Sequence, residues 1–122
     1  MKTFKNRAAQ GDVMFIRIDK LPEGVVKQEP TGTSSVGSPR YIVTHSETGH
    51  HHTMEATPTL EFYADPKDDM KSYLVVQGII GDIIEHQRPY DTHESMLIPP
   101  GIFEVRRQRE QTPEGWTRRV ED

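Results

Sequence analysis

The chain has 122 residues, enough for one hydrophobic core and too few for two, since single domains are comfortable at roughly 100–150 residues. Its 15 Lys and Arg against 19 Asp and Glu leave a net charge of −4 with neutral histidines, which excludes broad electrostatic affinity for nucleic acid. Cysteine is absent, which excludes disulfides, thiolate zinc sites and a cysteine nucleophile.

In chain order, residues 1–10 are polar and basic and read as a flexible arm, or as a segment that orders against a partner. They carry positive charge with no apolar run behind them, so they are not a signal peptide. The expected location is the cytoplasm of the producing cell. The longest apolar runs, such as Val13 to Ile16, are far too short to cross a membrane. Residues 11–122 read as a single domain. Gly11-Asp12 signals a turn, and Val13 to Asp19, β-branched and aromatic, predicts a strand. Leu21-Pro22-Glu23-Gly24 is turn chemistry, followed by a short strand at Val25 to Lys27. Pro30 to Pro39 is a Gly/Ser/Thr/Pro loop of the kind that contacts partners.

Further strands are predicted at Arg40 to His45, Thr59 to Tyr63 and Tyr73 to Val76. Ile79-Ile80 and Ile83-Ile84 form two short apolar runs around Gly81-Asp82. Met96 to Ile98 and Ile102 to Arg109 flank a corner preset by Pro99-Pro100-Gly101, and a last strand spans Trp116 to Val120. No window sustains helical i, i+3, i+4, i+7 periodicity. Many short strands between Gly/Pro turns predict an all-β sandwich or barrel. The hydrophobic share of 33% makes its core lean, which favours completion by a protein partner or by self-assembly.

The histidines carry the chemistry. Four of the six, His45, His50, His51 and His52, fall within ten residues, and His86 and His93 lie in a second polar stretch, Glu85 to Glu94. In an extended chain His50 and His52 share one face, and imidazole suits zinc, copper, iron or nickel. A transition metal such as zinc, held by His50 and His52 with His45, His86, His93 or a carboxylate such as Glu47 or Glu94, is therefore one expectation. Polar surface is the competing reading. A cluster of imidazoles that charges on mild acidification is a third.

Arg106, Arg107 and Arg109 form the basic concentration, with Arg118 and Arg119 nearby. Alternation puts Arg107 and Arg109 on the face of Phe103 and Val105, and Arg106 opposite with Glu104. Arginine on both faces predicts a strand running out toward an edge or interface, where paired arginines dock carboxylates of a neighbouring subunit. No phosphate loop or nucleophile elbow is present.

The segment Thr44-His45-Ser46-Glu47-Thr48-Gly49-His50-His51-His52, together with His93-Glu94 and Leu97-Ile98-Pro99-Pro100-Gly101-Ile102-Phe103-Glu104-Val105-Arg106-Arg107-Gln108-Arg109-Glu110, resembles small uncharacterised proteins of tailed phages and bacteria. That resemblance implies a phage or bacterial origin and assigns no catalytic residue. A looser likeness is to cupins, small β-barrels with a metal-binding His-x-His that His50-His51-His52 matches, although the Pro-Pro-Gly corner follows His93 instead of preceding it. Two functions are therefore expected. One is a non-enzymatic structural or interaction module, such as a capsid decoration or accessory protein of a virion. The other is a cupin-like metal-binding protein or metalloenzyme built on the histidine cluster.

Overall fold

Alternation of apolar and polar residues builds this molecule. In β3, Val13 and Phe15 are buried while Met14 and Ile16 between them are half-buried, the period-two pattern of a strand with one face on a core. The computed structural model describes residues 2–34, 36–44, 51–87, 92–107, 109–111 and 117–119, with side chains described for 2–34, 36–44, 51–85 and 95–107. The described elements are all strands: β1 (Lys2–Thr3), β2 (Arg7–Gln10), β3 (Val13–Ile18), β4 (Val26–Lys27), β5 (Gly32–Thr33), β6 (Pro39–Thr44), β7 (His52–Glu55), β8 (Leu60–Ala64), β9 (Lys71–Val76), β10 (Asp82–Gln87), β11 (Thr92–Ile98), β12 (Gly101–Arg107), β13 (Arg109–Gln111) and β14 (Thr117–Arg119).

Twelve of them form two six-stranded sheets, β1-β11-β10-β7-β6-β5 and β2-β3-β12-β9-β8-β4, and β13 pairs with β14. The all-β sandwich or barrel expected from the sequence is present, as two packed sheets. The inner faces share one core. Tyr41, Met54, Ile84 and Met96 form a row across the first sheet. Phe103, Leu74 and Phe62 form the facing row of the second, and Phe15 pairs with Val105 in the next row. Tyr41 and Phe62 meet across the gap with ring centroids 5.7 Å apart.

Residues 2–10 are integral to the fold and are not the flexible arm expected from their polarity. β1 pairs in parallel with β11 in the first sheet, and β2 pairs with β3 in the second. Phe4, between them, packs its ring edge-on to Phe103 at 5.5 Å. One aromatic anchor and two sets of backbone hydrogen bonds outweigh the low hydrophobicity of the segment. The second correction concerns β12, expected to leave toward an edge because arginine occupies both of its faces. It lies inside its sheet, between β3 and β9. Arg106 on its outer face is held by Glu104 of the same strand at 2.7 Å. The apolar run Ile79-Ile80 sits in the β9–β10 connection, 96% and 80% exposed.

Candidate metal centre

The described parts of the two histidine segments are neighbours. β7 emerges from the first segment, β10 and β11 run through the second, and all three lie side by side in one sheet. The register pairs His52 with His86, and His86 with His93. Directly opposed residues share a face of the sheet, with Cβ atoms about 4.5–5.5 Å apart. Thr44 extends the row onto β6, where it pairs with His52. The row Thr44–His52–His86–His93 thus lies two residues along from Met54 and Ile84, and three along from Tyr41 and Met96.

Two register shifts align it. On β6 the shift falls between Ile42 and Thr44, and Val43 and Thr44 are consecutively buried. On β10–β11 it falls between Ile84 and His86. An extra residue in a strand displaces the rest of that strand relative to its partner, and here the displacement brings His93 opposite His86.

His52 is 1% exposed and is met by residues of the other sheet. Its Nδ1 lies 2.8 Å from Oε1 of Gln10. The Gln10 amide nitrogen donates to the carbonyl of Ile84 at 3.3 Å. Because that carbonyl can only accept, the amide is fixed with its NH₂ toward Ile84 and its oxygen toward His52. The imidazole therefore carries its proton on Nδ1 and donates to Gln10. On the far side of the ring, Nε2 is 3.6 Å from Oδ1 of Asp12. Gln10 and Asp12 are 3% and 5% exposed. They flank Gly11, whose φ of 59° is one that a side-chain-bearing residue rarely adopts, and the turn it makes brings both side chains over the histidine sheet. The other buried carboxylate among the described residues, Asp82, lies at the far end of β10 and accepts from Thr57 Oγ1 at 3.0 Å.

Arg107 occupies the row of the second sheet that contains Val13 and Gln10. With Thr44, Tyr41, Phe62 and Lys71 it lines a cleft of about 310 Å³. Thr44 is the residue of the row that lines this cleft. Arg106 and Arg107 point to opposite faces, as alternation predicts, so they do not form one basic surface. Arg109 pairs with Arg119 through the β13–β14 ladder.

Of the residues expected to bind metal, His45 and His50 lie outside the described residues, as do Glu47 and Trp116. His86 and His93 are placed by backbone register alone. Among the described residues no set of three histidine or carboxylate side chains converges on one point, and the described pair is His52 with Asp12. Sequence reading missed Gln10 and Asp12. Asp12 looked like half of a turn signal and Gln10 like part of an arm. The signal that would have found them is two polar residues bracketing a glycine immediately before a buried strand.

Residues 9–108 match the model of a domain of unknown function, DUF8820. The chain belongs to the DUF8820 family. The matched span contains Gln10, Asp12, Thr44, His52, His86, His93 and Arg107, so the whole polar row and the residues facing it fall within the family domain. No curated protein and no solved structure matches the chain. Among the described residues no helix is long and apolar enough to cross a membrane.

Proposed function

We propose that this DUF8820 protein is a metal-binding β-sandwich whose ion sits on the histidine row at the polar end of the core. The observation that carries the reading is the register: His52, His86 and His93 fall opposite one another on three adjacent strands. His52 among them is buried with its tautomer set by Gln10. A buried imidazole held by a hydrogen bond from one ring nitrogen is the arrangement metal sites use to orient their histidines. Cross-strand neighbours are close enough for two imidazoles to reach one ion at about 2.0–2.1 Å each. Zinc, copper, iron and nickel all suit such donors.

The test is elemental analysis of the untagged protein, beside His52→Ala and a His86→Ala/His93→Ala double variant. About one equivalent of a transition metal in the wild type, lost in both variants, supports the reading. A wild type that stays metal-free after incubation with zinc overturns it.

A second reading, an interaction module that docks in a larger assembly such as a virion, is favoured by a different observation: the exposure of Ile79 and Ile80 at the β9–β10 turn. Burying an isoleucine contributes roughly 1.5–3 kcal/mol, whereas association costs about 4–15 kcal/mol. Two isoleucines therefore give weak self-association that becomes firm only when many copies engage together. Sedimentation at high protein concentration should show reversible association that Ile79→Ser/Ile80→Ser abolishes. A wild type that remains monomeric throughout sinks this reading.

A further inference from the structure

At the far end of β10 from the histidine row lies a cavity of about 200 Å³. We infer that it is a receptor for a primary ammonium group, anchored by Asp82. It shares no residue with the histidine row. The carboxylates of Glu55, Asp82 and Glu85 line it, with the guanidinium of Arg40, so three negative charges meet one positive among the described residues. Arg40 is already committed. Its Nε donates to Thr53 Oγ1 at 3.2 Å and its Nη2 to the Thr53 carbonyl at 3.3 Å, and Nη2 lies 3.6 Å from Oε1 of Glu85.

An acidic rim alone is solvated surface; a buried oxygen sets this one apart. Asp82 is 8% exposed. Its Oδ1 accepts from Thr57 Oγ1 at 3.0 Å. Having used its own proton, Thr57 accepts from Thr59 Oγ1 at 3.2 Å. Oδ2 is buried with no hydrogen-bond partner among the described residues. Such an oxygen is costly unless a donor reaches it, and a cationic donor from outside the chain complements it best. Gly81, with φ of 98° and no room for a side chain against the Ile98 carbonyl, packs the backbone that carries Asp82 directly on β11.

Size and donor geometry select the ligand. At roughly 30 Å³ per water molecule the cavity holds about seven, short of the about 300–1,000 Å³ that drug-sized ligands occupy. It fits a group the size of a side chain. With Oδ1 taken by Thr57, Asp82 offers one oxygen and not the pair that a planar guanidinium bridges. An ammonium carries three separately directed donors on a flexible stem, one for Oδ2 and two for Glu55 and Glu85. A metal needs its ligands to converge, and among the described residues no three carboxylate or histidine side chains do. Ile83, 42% exposed and in the same lining, offers the alkyl stem an apolar contact.

The full-length, nitrogen-15-labelled protein, held in chelator at constant ionic strength, is titrated with n-butylammonium, N-acetyl-lysine amide, n-butylguanidinium, 1-butanol and potassium chloride. The amide shifts of Thr57, Gly81 and Asp82 are followed by NMR. Both ammonium compounds should give saturable shifts, and 1-butanol and potassium chloride should not. Asp82→Asn should weaken ammonium binding by about 30-fold or more, as removal of one partner from a buried charged hydrogen bond does. Glu55→Gln/Glu85→Gln, at more exposed positions, should weaken it less, and is read even if the asparagine variant fails to fold. Tighter binding of the lysine derivative assigns the site to a lysine side chain of a partner protein, and tighter binding of butylammonium to a free amine.

Shifts that never saturate, or that potassium chloride reproduces, overturn the receptor. Equal binding of 1-butanol overturns the role of charge, and tighter binding of butylguanidinium overturns the preference for ammonium. A folded Asp82→Asn protein, or the double glutamine variant, that binds as the wild type does overturns the assignment of these carboxylates.

Discussion

The two ends of the interior are chemically opposite. In the middle, Tyr41, Met54, Ile84 and Met96 share one apolar cluster with Phe15, Phe103, Leu74 and Phe62. Two or three residues further along the same strands, Thr44 and His52, in one row with His86 and His93, face Gln10, Asp12 and the Arg107 row. Hydrophobic transfer stabilises the first region without regard to detail. The second is stable only if each polar group is satisfied. The apolar rows explain why the chain folds as a sandwich. The polar row is not needed for that, and this points to a function for it.

Truncation separates the two regions most sharply. Phe103 is fully buried, and Phe103→Ala should cost about 3–5 kcal/mol, whether metal is present or chelated. His52→Ala should cost less in the chelated protein, about 1–3 kcal/mol for each polar group left unsatisfied, and should abolish the rise in Tm produced by added zinc. Denaturant unfolding with and without chelator measures both. A Phe103→Ala penalty that varied with metal would break the separation. Replacing the polar contact outright sharpens it: His52→Met combined with Asp12→Leu should restore or exceed wild-type stability in chelator, as buried charged pairs replaced by apolar side chains commonly do, while metal binding is lost.

The apolar region is the part that could be read from the chain. β3, β6, β8, β9 and the Ile102–Arg107 run of β12 reflect β-branched and aromatic runs between Gly and Pro turns, because local alternation is sufficient to define a half-buried strand. Three things were not legible. β1 and β2 are held by long-range pairing, to β11 and β3, that polar residues such as Arg7 and Gln10 do not advertise. β10 and β11 run through His86 and His93, where polarity suggested a connecting stretch. The alignment of the histidine row depends on register shifts on β6 and between β10 and β11, and a shift of one residue leaves no trace in composition. His52 could be nominated from the sequence. Its partners Gln10 and Asp12 lie about 40 positions away and become neighbours only once the sheets pack.

Between the two regions in expected effect are the tyrosines. Burial, aided by the charge of Glu29, raises the Tyr41 phenol above its ordinary value, and burial with the charge of Glu104 does the same for Tyr73. A folded-state value above the unfolded one contributes stability that is fully present below about pH 10, the ordinary tyrosine value, and is lost as the pH rises through the raised folded value. Unfolding measured from pH 8 to 12 should therefore show a decline beginning near pH 10, less steep in Tyr41→Phe/Tyr73→Phe. An identical decline in that variant would assign the alkaline loss to other groups.

The smallest effect belongs to the surface turn. Ile79 and Ile80 are as apolar as anything in the core, yet they stand in solvent, held between Gly78 and Gly81. Gly81, with φ of 98°, packs so closely on the Ile98 carbonyl that no side chain fits. The turn is thus set by its glycines, and the isoleucines contribute nothing to holding it. Ile79→Ser/Ile80→Ser should change unfolding free energy by no more than about 0.5 kcal/mol, the usual range for exposed positions, with an unaltered denaturant slope. A loss above about 1 kcal/mol would mean that these side chains are buried in solution, by the rest of the chain or by a second copy. Repeating the measurement at tenfold lower protein concentration separates the two, because only burial by a second copy weakens on dilution.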